Sequence, residues 1–252
     1  MTRVAAVIPA YNEAGTIRDI AQRTLRQIPW LIVVDDGSDD GTGKALAGLP
    51  LTLLRNPENS GKAASLWRGI QQAVERGADA VVTLDGDGQH LPEDIPRLID
   101  AYSRRQDAIV IGSRLHDRDH IPRDRYLANR FANFWIGWAA GRSITDSQSG
   151  FRVYPTRLFR ALKVRCDRAA GFVFESEVLI EAARCGIEFV AVPVAAIYEQ
   201  RGRRSHFRPV LDIARITRMV AWKLILRGLD LPGLVRSLRD PQPRPGDGLT
   251  GR

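Results

Sequence analysis

Two aspartates one residue apart carry the clearest chemistry in this sequence. Asp85 and Asp87 come directly after an apolar run, Gln89 adds a neutral oxygen two positions later, and His90 could add a nitrogen. Two carboxylates on a turn that leaves a buried strand can hold one hard divalent cation, which bridges the diphosphate of a donor and neutralises the leaving group. Asp-Gly pairs also form ordinary turns, so this short motif alone leaves a purely structural turn open.

A second acidic pair, Asp35-Asp36, follows another apolar run and precedes Gly37 and Ser38. A carboxylate at a strand end can accept hydrogen bonds from ribose hydroxyls or from a base N–H group. A calcium loop that begins at Asp36 is excluded, because its twelfth position is Ala47, where a bidentate acid is required.

Lys62 stands at the start of a predicted helix, whose N-terminus would assist its contact with a phosphate. The surrounding residues do not form a P-loop, because Asn56 and Ala63 occupy positions that require glycine and serine or threonine. A lysine exposed to solvent is the alternative interpretation of Lys62.

Buried strands and amphipathic helices must position these side chains. Apolar runs rich in Val and Ile predict strands at 4–9, 31–34, 51–54, 80–84 and 108–112, with helical patterns between them. This alternation predicts an α/β domain with a Rossmann-like, mostly parallel central sheet and helices on both faces. Because ligands bind outside the carboxyl ends of such strands, the polar clusters at 11–13, 35–38, 59–62 and 85–90 are expected at one edge of the sheet.

The second half of the chain is less regular. Helices are predicted at 126–139, 156–162 and 174–185, with a strand at 188–194. A basic amphipathic helix is predicted at 209–231, after a single main domain at 1–208. The tail 232–252 is rich in Pro, Gly and Arg and is predicted to be disordered.

The net charge of +8 implies attraction to an anionic partner such as nucleic acid, an anionic membrane face or a phosphorylated substrate. Nucleic acid is not expected, because no nucleic-acid module is recognised and the basic clusters lack regular aromatic interleaving. The most apolar later stretch, 131–141, has about half the length that a membrane-spanning helix requires. Two distant cysteines, Cys166 and Cys185, argue against a disulfide framework and favour the cytoplasm.

Six motifs in order resemble glycosyltransferase family 2, and within it the dolichyl- or polyprenyl-phosphate mannose synthases. They read PAYNE (9–13), VVDDGSDDGT (33–42), NSGK (59–62), DGD (85–87), GSR (112–114) and DSQSGFR (146–152). A weaker likeness continues to about residue 208. The resemblance implies a GT-A fold with a nucleotide cleft, and inversion at the anomeric carbon by direct in-line attack of the acceptor oxygen.

The same resemblance implies roles for individual residues. Asp85, Asp87 and Gln89 would hold Mg2+ or Mn2+ together with the diphosphate, which makes Asp87 a catalytic residue. Ser149 would belong to the acceptor site. The oligomeric state, the base and the sugar are not defined by the sequence. The residues expected to bind the nucleotide are Pro9, Tyr11, Glu13, Asp36, Lys62 and Asp85.

The acceptor decides which further residues take part. A hydroxyl acceptor needs a general base, for which Asp146 is the candidate, whereas an acceptor phosphate is already an anion and needs only positioning. Arg114 and Arg152 are candidates to grip such a phosphate through paired hydrogen bonds. A helix or turn cap is the alternative role for Asp146, and surface salt bridges are the alternative for the two arginines.

Two segments raise the question of membrane and phosphate contact. The basic segment 201–206, which begins with Arg201, is a candidate lid over the phosphates, or else a solvated loop. Four aromatic residues lie beside another basic stretch, and they favour either peripheral contact with the inner face of the cytoplasmic membrane or packing in the core. They are Phe131, Phe134, Trp135 and Trp138.

Three functions follow from these residues. The first is metal-dependent, inverting transfer of a hexose from a UDP- or GDP-sugar to a polyprenyl phosphate or another lipid-linked acceptor. The second keeps this donor but uses a hydroxyl of a glycan or small lipid metabolite, with Asp146 as base. The third is a non-catalytic protein that only binds a nucleotide, and the presence of both Asp85 and Asp87 disfavours it.

Overall fold

The computed structural model describes residues 2–116, 121–162, 173–195, 197, 209–226 and 228–239. Arg201 and the rest of the segment 201–206 lie outside these residues, as does the part of the predicted tail from 240 to 252. What the sequence predicts for them stays a prediction.

A seven-stranded sheet occupies the centre of the described chain. The strands are β1 (Val4–Ala10), β2 (Leu31–Asp35), β3 (Thr52–Arg55), β4 (Ala80–Thr83), β5 (Ala108–Ser113), β6 (Arg152–Pro155) and β7 (Glu188–Pro193). Their spatial order is β3-β2-β1-β4-β6-β5-β7. All neighbours pair in parallel except β6, which runs antiparallel to both β4 and β5. The predicted α/β fold with a mostly parallel sheet is confirmed.

Helices lie between most of these strands and after the last of them. Among the described residues they are α1 (Ile17–Gln27), α2 (Thr42–Ala45), α3 (Lys62–Glu75), α4 (Ile95–Arg104), α5 (Arg123–Ala140), α6 (Thr156–Ala161), α7 (Val173–Arg184), α8 (Pro209–Ile225) and α9 (Leu231–Arg239). None of the helices in this part of the chain combines the length and the apolar character needed to span a bilayer.

The sheet separates two hydrophobic cores. Ala5 and Val7 of β1 pack in the core that includes α3, α5, α7 and α8. Ala6 and Ile8 of the same strand pack in the other core, with α1 and α4. Successive side chains of a strand point to opposite faces, so a strand buried on both sides reads as one continuous apolar run. Helices therefore cover both faces, as the sequence predicts.

Strand β6 is the element that the sequence analysis does not predict. It has four residues, begins with Arg152 and ends with Pro155, so it lacks the apolar run that marks the other strands. Its antiparallel position separates the parallel group β3-β2-β1-β4 from the parallel pair β5-β7. Because β6 is antiparallel, the segment that precedes it lies at the same edge of the sheet as the loops that follow β4 and β5.

Helix α9 differs from the prediction of a disordered tail from residue 232. The helix starts at Leu231 with Pro232 in its first turn, where a missing N–H group does no harm. Asp230 Oδ1 accepts a hydrogen bond from the N–H of Gly233 at 2.9 Å, and Trp138 Nε1 donates to Leu229 O at 3.1 Å. Pro232 and Gly233, which contribute to the prediction of disorder, lie instead in the first turn of α9, next to a turn that contacts α5.

Candidate active site

The loops after β1 and β2 meet at the carboxyl edge of the sheet, because the two strands are parallel neighbours. Hydrogen bonds join these loops. The backbone N–H of Asn12 donates to Ser38 Oγ at 3.0 Å, and that of Glu13 donates to Thr42 Oγ1 at 2.8 Å. Asn12 has a φ of 55°, in the left-handed region that asparagine tolerates. This fixed turn places Tyr11 and Glu13, both half-buried, at the end of β1.

The turn after β4 packs directly on β1. A Cβ atom added to Gly86 would lie 3.4 Å from the carbonyl oxygen of Pro9 and 3.4 Å from Ile17 Cδ1. Thr16 Oγ1 donates to the carbonyl oxygen of Gly86 at 3.0 Å. These are ordinary van der Waals distances, so the turn lies against β1 and α1, and the hydrogen bond makes Thr16 a support of that turn.

Asp36 organises the start of α3. Its buried carboxylate accepts hydrogen bonds from Asn56 Nδ2 at 2.6 Å, the N–H of Ser60 at 2.9 Å and the N–H of Gly61 at 2.8 Å. Ser60 and Gly61 come directly before α3, so a carboxylate already lies at the N-terminus of that helix. These bonds account for the burial of Asp36 without the base or ribose that the sequence analysis assigns to it.

Asp35 differs from Asp36 because one of its two carboxylate oxygens accepts no hydrogen bond from a described residue. It is fully buried at the end of β2, and its Oδ1 accepts the N–H of Ser38 at 3.0 Å. Its Oδ2 accepts no hydrogen bond from any described residue and lies 3.7 Å from Arg55 Nη1. A buried carboxylate oxygen without a donor is unfavourable unless a ligand supplies one. The Asp35 side chain has no exposed surface, so a base or ribose would reach it only after a local change of conformation, and the contact expected for Asp36 stays a prediction.

Lys62 joins the metal motif to α7. Its Nζ lies 2.7 Å from Asp85 Oδ1 and 3.2 Å from Glu175 Oε2. Burial alone would lower the pKa of the Lys62 ammonium, but the two carboxylates outweigh it and raise this pKa. Lys62 is thus an ion-paired lysine within the site and not a solvent-exposed one, and its contact with a phosphate stays a prediction.

The pKa values of the two aspartates of the motif are shifted in opposite directions. Burial alone would raise the pKa of Asp85, but Lys62, His90 and Arg114 hold it below its ordinary value. Burial and the neighbouring Asp85 carboxylate raise the pKa of Asp87, and Lys62 and Arg114 offset this only in part. Negative charge at Asp87 is therefore incompletely compensated by the protein.

The oxygen donors of this turn fit Mg2+ or Mn2+. Asp85, Asp87 and Gln89 offer carboxylate and amide oxygens, and the N–H of Gln89 donates to Asp87 Oδ1 at 3.0 Å, which holds the turn. Among the described residues no group of three His, Cys, Asp or Glu side chains could enclose a metal ion. One or two carboxylates plus substrate phosphates is the usual way in which Mg2+ is held, so a partial protein set and an under-compensated Asp87 fit a diphosphate-bound cation.

His90 supports this turn from behind. Its ring lies 5.3 Å from the ring of Phe151, and burial, with Arg114 second, lowers the pKa of His90 to about 4. Its Nδ1 has no hydrogen-bond partner among the described residues. His90 is therefore a neutral imidazole packed on an aromatic ring.

Arg114 and Asp146 form a buried ion pair beside the metal motif. Arg114 Nε lies 3.2 Å from Asp146 Oδ2, Nη2 lies 3.3 Å from Oδ1, and the Arg114 N–H also donates to Oδ2 at 3.1 Å. The Asp146 side chain has no exposed surface, whereas that of Arg114 is 11% exposed. A carboxylate without exposed surface cannot take a proton from an acceptor in this conformation. The structure gives Asp146 the role of positioning Arg114, which is neither a base nor a cap.

The prediction that Arg152 binds the acceptor phosphate is wrong. Arg152 is fully buried in β6, and its guanidinium donates to the carbonyl oxygens of Ser149, Glu175 and Ser147 at 2.7, 2.9 and 2.9 Å. It ties the segment 147–149 to α7 and is not a surface salt bridge either. Ser149 is also fully buried, with its Oγ accepting the N–H of Phe151 at 3.3 Å, so it shapes this turn and does not line the cleft.

The aromatic residues of α5 divide between the two roles considered for them. Phe131 and Phe134 are 60% and 40% exposed. Trp135 and Trp138 pack partly buried against the core below them. The first two are therefore surface residues, and the last two are mainly core residues.

Three residues of the site do not stand out in the sequence. Glu175 lies within a predicted helix, where nothing marks it as the partner of Lys62. Thr16 is an ordinary residue before a helix. Asp35 is part of the noted acidic pair, and its place as the last residue of a strand buried on both faces is a signal that could have singled it out.

The chain matches the family model described as Glycosyl transferase family 2 over residues 5–167. It is 28% identical over 240 residues to an undecaprenyl-phosphate mannosyltransferase of Micrococcus luteus, covering 89% of this chain and 96% of that protein. It is also 28% identical over 211 residues to a polyprenol monophosphomannose synthase of Mycolicibacterium smegmatis, covering 79% of each. A UDP-N-acetylglucosamine–dolichyl-phosphate N-acetylglucosaminyltransferase of Methanococcus voltae is 29% identical over 215 residues, or 77% of this chain and 85% of that protein.

Solved structures of similar architecture share the fold at lower identity. Mannosyl-3-phosphoglycerate synthase from Rubrobacter xylanophilus superposes with a TM-score of 0.64 at 21% identity, over 95% of this chain and 78% of that one. Glucosyl-3-phosphoglycerate synthase from Mycobacterium tuberculosis, solved with Mn2+, UDP and glucosyl-3-phosphoglycerate, gives 0.62 at 22% identity, over 90% and 80%. At this identity the likeness supports the fold.

Proposed function

The chain belongs to glycosyl transferase family 2, and we propose that it moves a hexose from a UDP- or GDP-sugar to a polyprenyl phosphate, with inversion at the anomeric carbon. The observation that carries the proposal is the Arg114–Asp146 pair. It offers a fixed cation beside the metal motif, while the carboxylate that could serve as a base has no exposed surface. Such a site suits an acceptor that arrives as an anion. Similar proteins are named for undecaprenyl-phosphate and polyprenol acceptors.

On the donor side, Asp35 Oδ2 would accept a hydrogen bond from the base or the ribose once a local change of conformation exposes it. Tyr11 and Glu13 would flank the nucleoside from the end of β1, and the carbonyl side of Pro9 would form the floor of the cleft. Asp36 acts indirectly, because it fixes the residues that precede α3 and so places Lys62. The donor sugar and base are left open by these contacts.

Asp85, Asp87 and Gln89 would hold Mg2+ or Mn2+, which when bound neutralises the diphosphate leaving group. Lys62 keeps Asp85 ionised for this purpose, and Glu175 keeps Lys62 in place. Arg114 would hold an oxygen of the acceptor phosphate in line with the anomeric carbon. The new bond joins that oxygen to the anomeric carbon, and the nucleoside diphosphate leaves with the electrons of the broken bond. No proton transfer is needed.

Nucleotide release tests this proposal. The purified chain is incubated with Mn2+ and a panel of UDP- and GDP-sugars, with and without polyprenyl phosphate, beside an Asp87→Ala variant. We expect one donor to release nucleotide when the lipid phosphate is added, and the variant to abolish this release. If nucleotide is released at the same rate with and without lipid phosphate, a hydroxyl acceptor is favoured instead. No release from any donor would favour the non-catalytic nucleotide-binding protein.

A further inference from the structure

Helices α5 and α9 expose apolar side chains in the same pattern, and the end of α8 exposes three more. Helix α5 exposes Leu127, Phe131 and Phe134, and α9 exposes Leu231, Val235 and Leu238, in each case at spacings of four and three residues. These positions lie on one side of a helix. The side chains are between 40% and 66% exposed, and the end of α8 adds Trp222, Ile225 and Leu226 within the same range. We call these exposed faces together the docking surface.

Contacts between the helices make the docking surface continuous. Trp138 of α5 donates a hydrogen bond from Nε1 to the carbonyl oxygens of Leu229 and Asp230, in the turn between α8 and α9, at 3.1 and 3.3 Å. Phe134 of α5 and Leu238 of α9 line one common pocket of about 450 Å³. Exposed apolar patches of this extent mark interaction sites, whereas single exposed apolar residues need no explanation.

The charge around this surface identifies its partner. Exposed arginines accompany each of the three helices, while Asp124 is the one exposed acidic residue among their described side chains. An apolar face flanked by arginines is complementary to an anionic bilayer, in which the apolar side chains enter the acyl boundary and the guanidinium groups meet lipid phosphates. The arginines are Arg123, Arg130, Arg215, Arg218, Arg236 and Arg239.

Other occupants fit the docking surface less well. In a twofold contact with a second copy, the same arginines would face one another and repel. The sequence from 240 to 252, which continues from α9, has Leu249 as its one large apolar residue, so it offers little to cover an apolar face. We propose that the docking surface seats the protein in the plane of an anionic membrane.

The pocket shows which way the molecule would face. Phe134 and Leu238 line it from the docking surface, Arg130 and Ser237 add polar groups from the same two helices, and Ser113 lines it from the end of β5. Ser113 directly precedes Arg114. A lipid phosphate that enters from the bilayer would therefore pass Arg130 and approach Arg114 at the end of β5. This orientation rests on the proposed function, whereas the membrane contact does not.

Vesicle binding tests the membrane contact without donor or acceptor. The full chain is sedimented with phosphatidylcholine vesicles with and without phosphatidylglycerol, at low and high salt. We expect binding that needs phosphatidylglycerol and weakens with salt, because exposed charges are screened. Phe131→Ser and Leu238→Ser should each weaken it by about tenfold or more. Leu53→Ser is the matched control. Leu53 is 40% exposed on β3, the edge strand at the opposite end of the sheet from β7, and it does not belong to the docking surface.

Trp222 provides a second measurement. It is 61% exposed on the docking surface, so vesicles of brominated phosphatidylglycerol should quench part of the tryptophan emission, and Trp222→Phe should remove that part. No binding to anionic vesicles, or equal binding by all variants, would overturn the proposal. A dimer in gel filtration that Phe131→Ser dissociates would also overturn it and assign the surface to a second copy.

The membrane contact and the proposed function can fail separately. Transfer to a short-chain, water-soluble prenyl phosphate without vesicles measures the reaction alone. Normal transfer to this soluble acceptor, together with a failure to bind vesicles, would overturn the membrane contact and leave the proposed function standing. Vesicle binding without any transfer overturns the function and supports the membrane contact.

Discussion

The donor side of the cleft, formed by the loops after β1, β2 and β4, and the acceptor side, formed by Arg114 and the segment 146–152, expose opposite charges. On the donor side, Asp87 is half-buried and its pKa is raised, first by burial and then by Asp85. On the acceptor side, Asp146 is fully buried and the guanidinium of Arg114 keeps the exposed surface. Lys62 and Asp85 are about equally exposed in their ion pair, so the excess charge of the donor side comes from Asp87, whereas on the acceptor side only the cation of the pair keeps exposed surface.

This difference explains how one cleft could hold two phosphates. A negative donor side needs a divalent cation before it can hold a diphosphate, which fits the donor set of Asp85, Asp87 and Gln89. A positive acceptor side can hold a phosphate directly. The comparison therefore assigns charge compensation to a metal on one side and to an arginine on the other. Four experiments with five single substitutions follow, in order of expected effect.

Asp87→Asn should have the largest effect. It keeps the size of the side chain but removes the negative charge that would hold the metal–diphosphate group, so the initial rate of transfer with Mn2+ should fall on the order of 10³-fold. Asp100→Asn, at an exposed position of α4, is the control and should transfer at the rate of the unmodified protein. A variant at Asp87 that keeps most of its activity would show that the donor side needs no metal.

Arg152→Met should act on stability. The change leaves three carbonyl oxygens without their donor and should lower the free energy of unfolding by about 3 kcal/mol in urea titrations. Arg97→Met, whose side chain is 51% exposed, should change it by less than about 0.5 kcal/mol. Unchanged stability with a raised KM for lipid phosphate would return Arg152 to the acceptor site.

Arg114→Gln and Asp146→Asn test whether the two residues act as a unit. Arg114→Gln should lower kcat/KM for polyprenyl phosphate by about 100-fold, since a charge-assisted bidentate contact is lost, with donor affinity unchanged. Asp146→Asn should cost about tenfold, and the double variant should be little worse than Arg114→Gln alone. If Asp146→Asn abolished transfer while Arg114→Gln kept it, Asp146 would be a base.

His90→Asn should alter the pH dependence of stability in the metal-free protein. The folded-state pKa of His90, about 4, lies below its ordinary value of 6.5, so the unfolded chain binds more protons between these values. The stability due to His90 is complete above about pH 6.5 and is lost as the pH falls towards 4. Between about pH 7 and pH 5 the free energy of unfolding should fall by roughly 2 kcal/mol less in the variant. Equal losses would mean that His90 is not buried as a neutral ring.

The sequence predicts the donor side better than the acceptor side, for a physical reason. Parallel strands buried on both faces give apolar runs, and their carboxyl ends must share one edge, so Asp85, Asp87 and Lys62 could be brought together from the sequence. Five strands are found where the apolar pattern predicts them, and of these only the edge strand β3 is not buried on both faces. Partners within the edge, such as Glu175 beside Lys62, depend on packing between distant segments and carry no local signal.

On the acceptor side, residue type alone did not predict which side chains are buried and which are exposed. Arg152 has the composition of a surface residue, and its burial depends on carbonyl groups up to 23 residues away. The pairing of Arg114 with Asp146 spans 32 residues and requires the antiparallel strand β6, which the apolar pattern does not reveal. The resemblance to the family points to these motifs as a site, which stays a prediction, and it could not say which of their side chains are buried.

Product analysis with two matched lipids tests the central claim most directly. The donor identified by nucleotide release, carrying a labelled sugar, is incubated with Mn2+ and either polyprenyl phosphate or the corresponding polyprenol, and the lipid is extracted. The account predicts label in the lipid phosphate and none in the polyprenol, because Arg114 is proposed to bind an anion and Asp146, the candidate base, has no exposed surface. Label in the polyprenol, lost on Asp146→Asn, would contradict it.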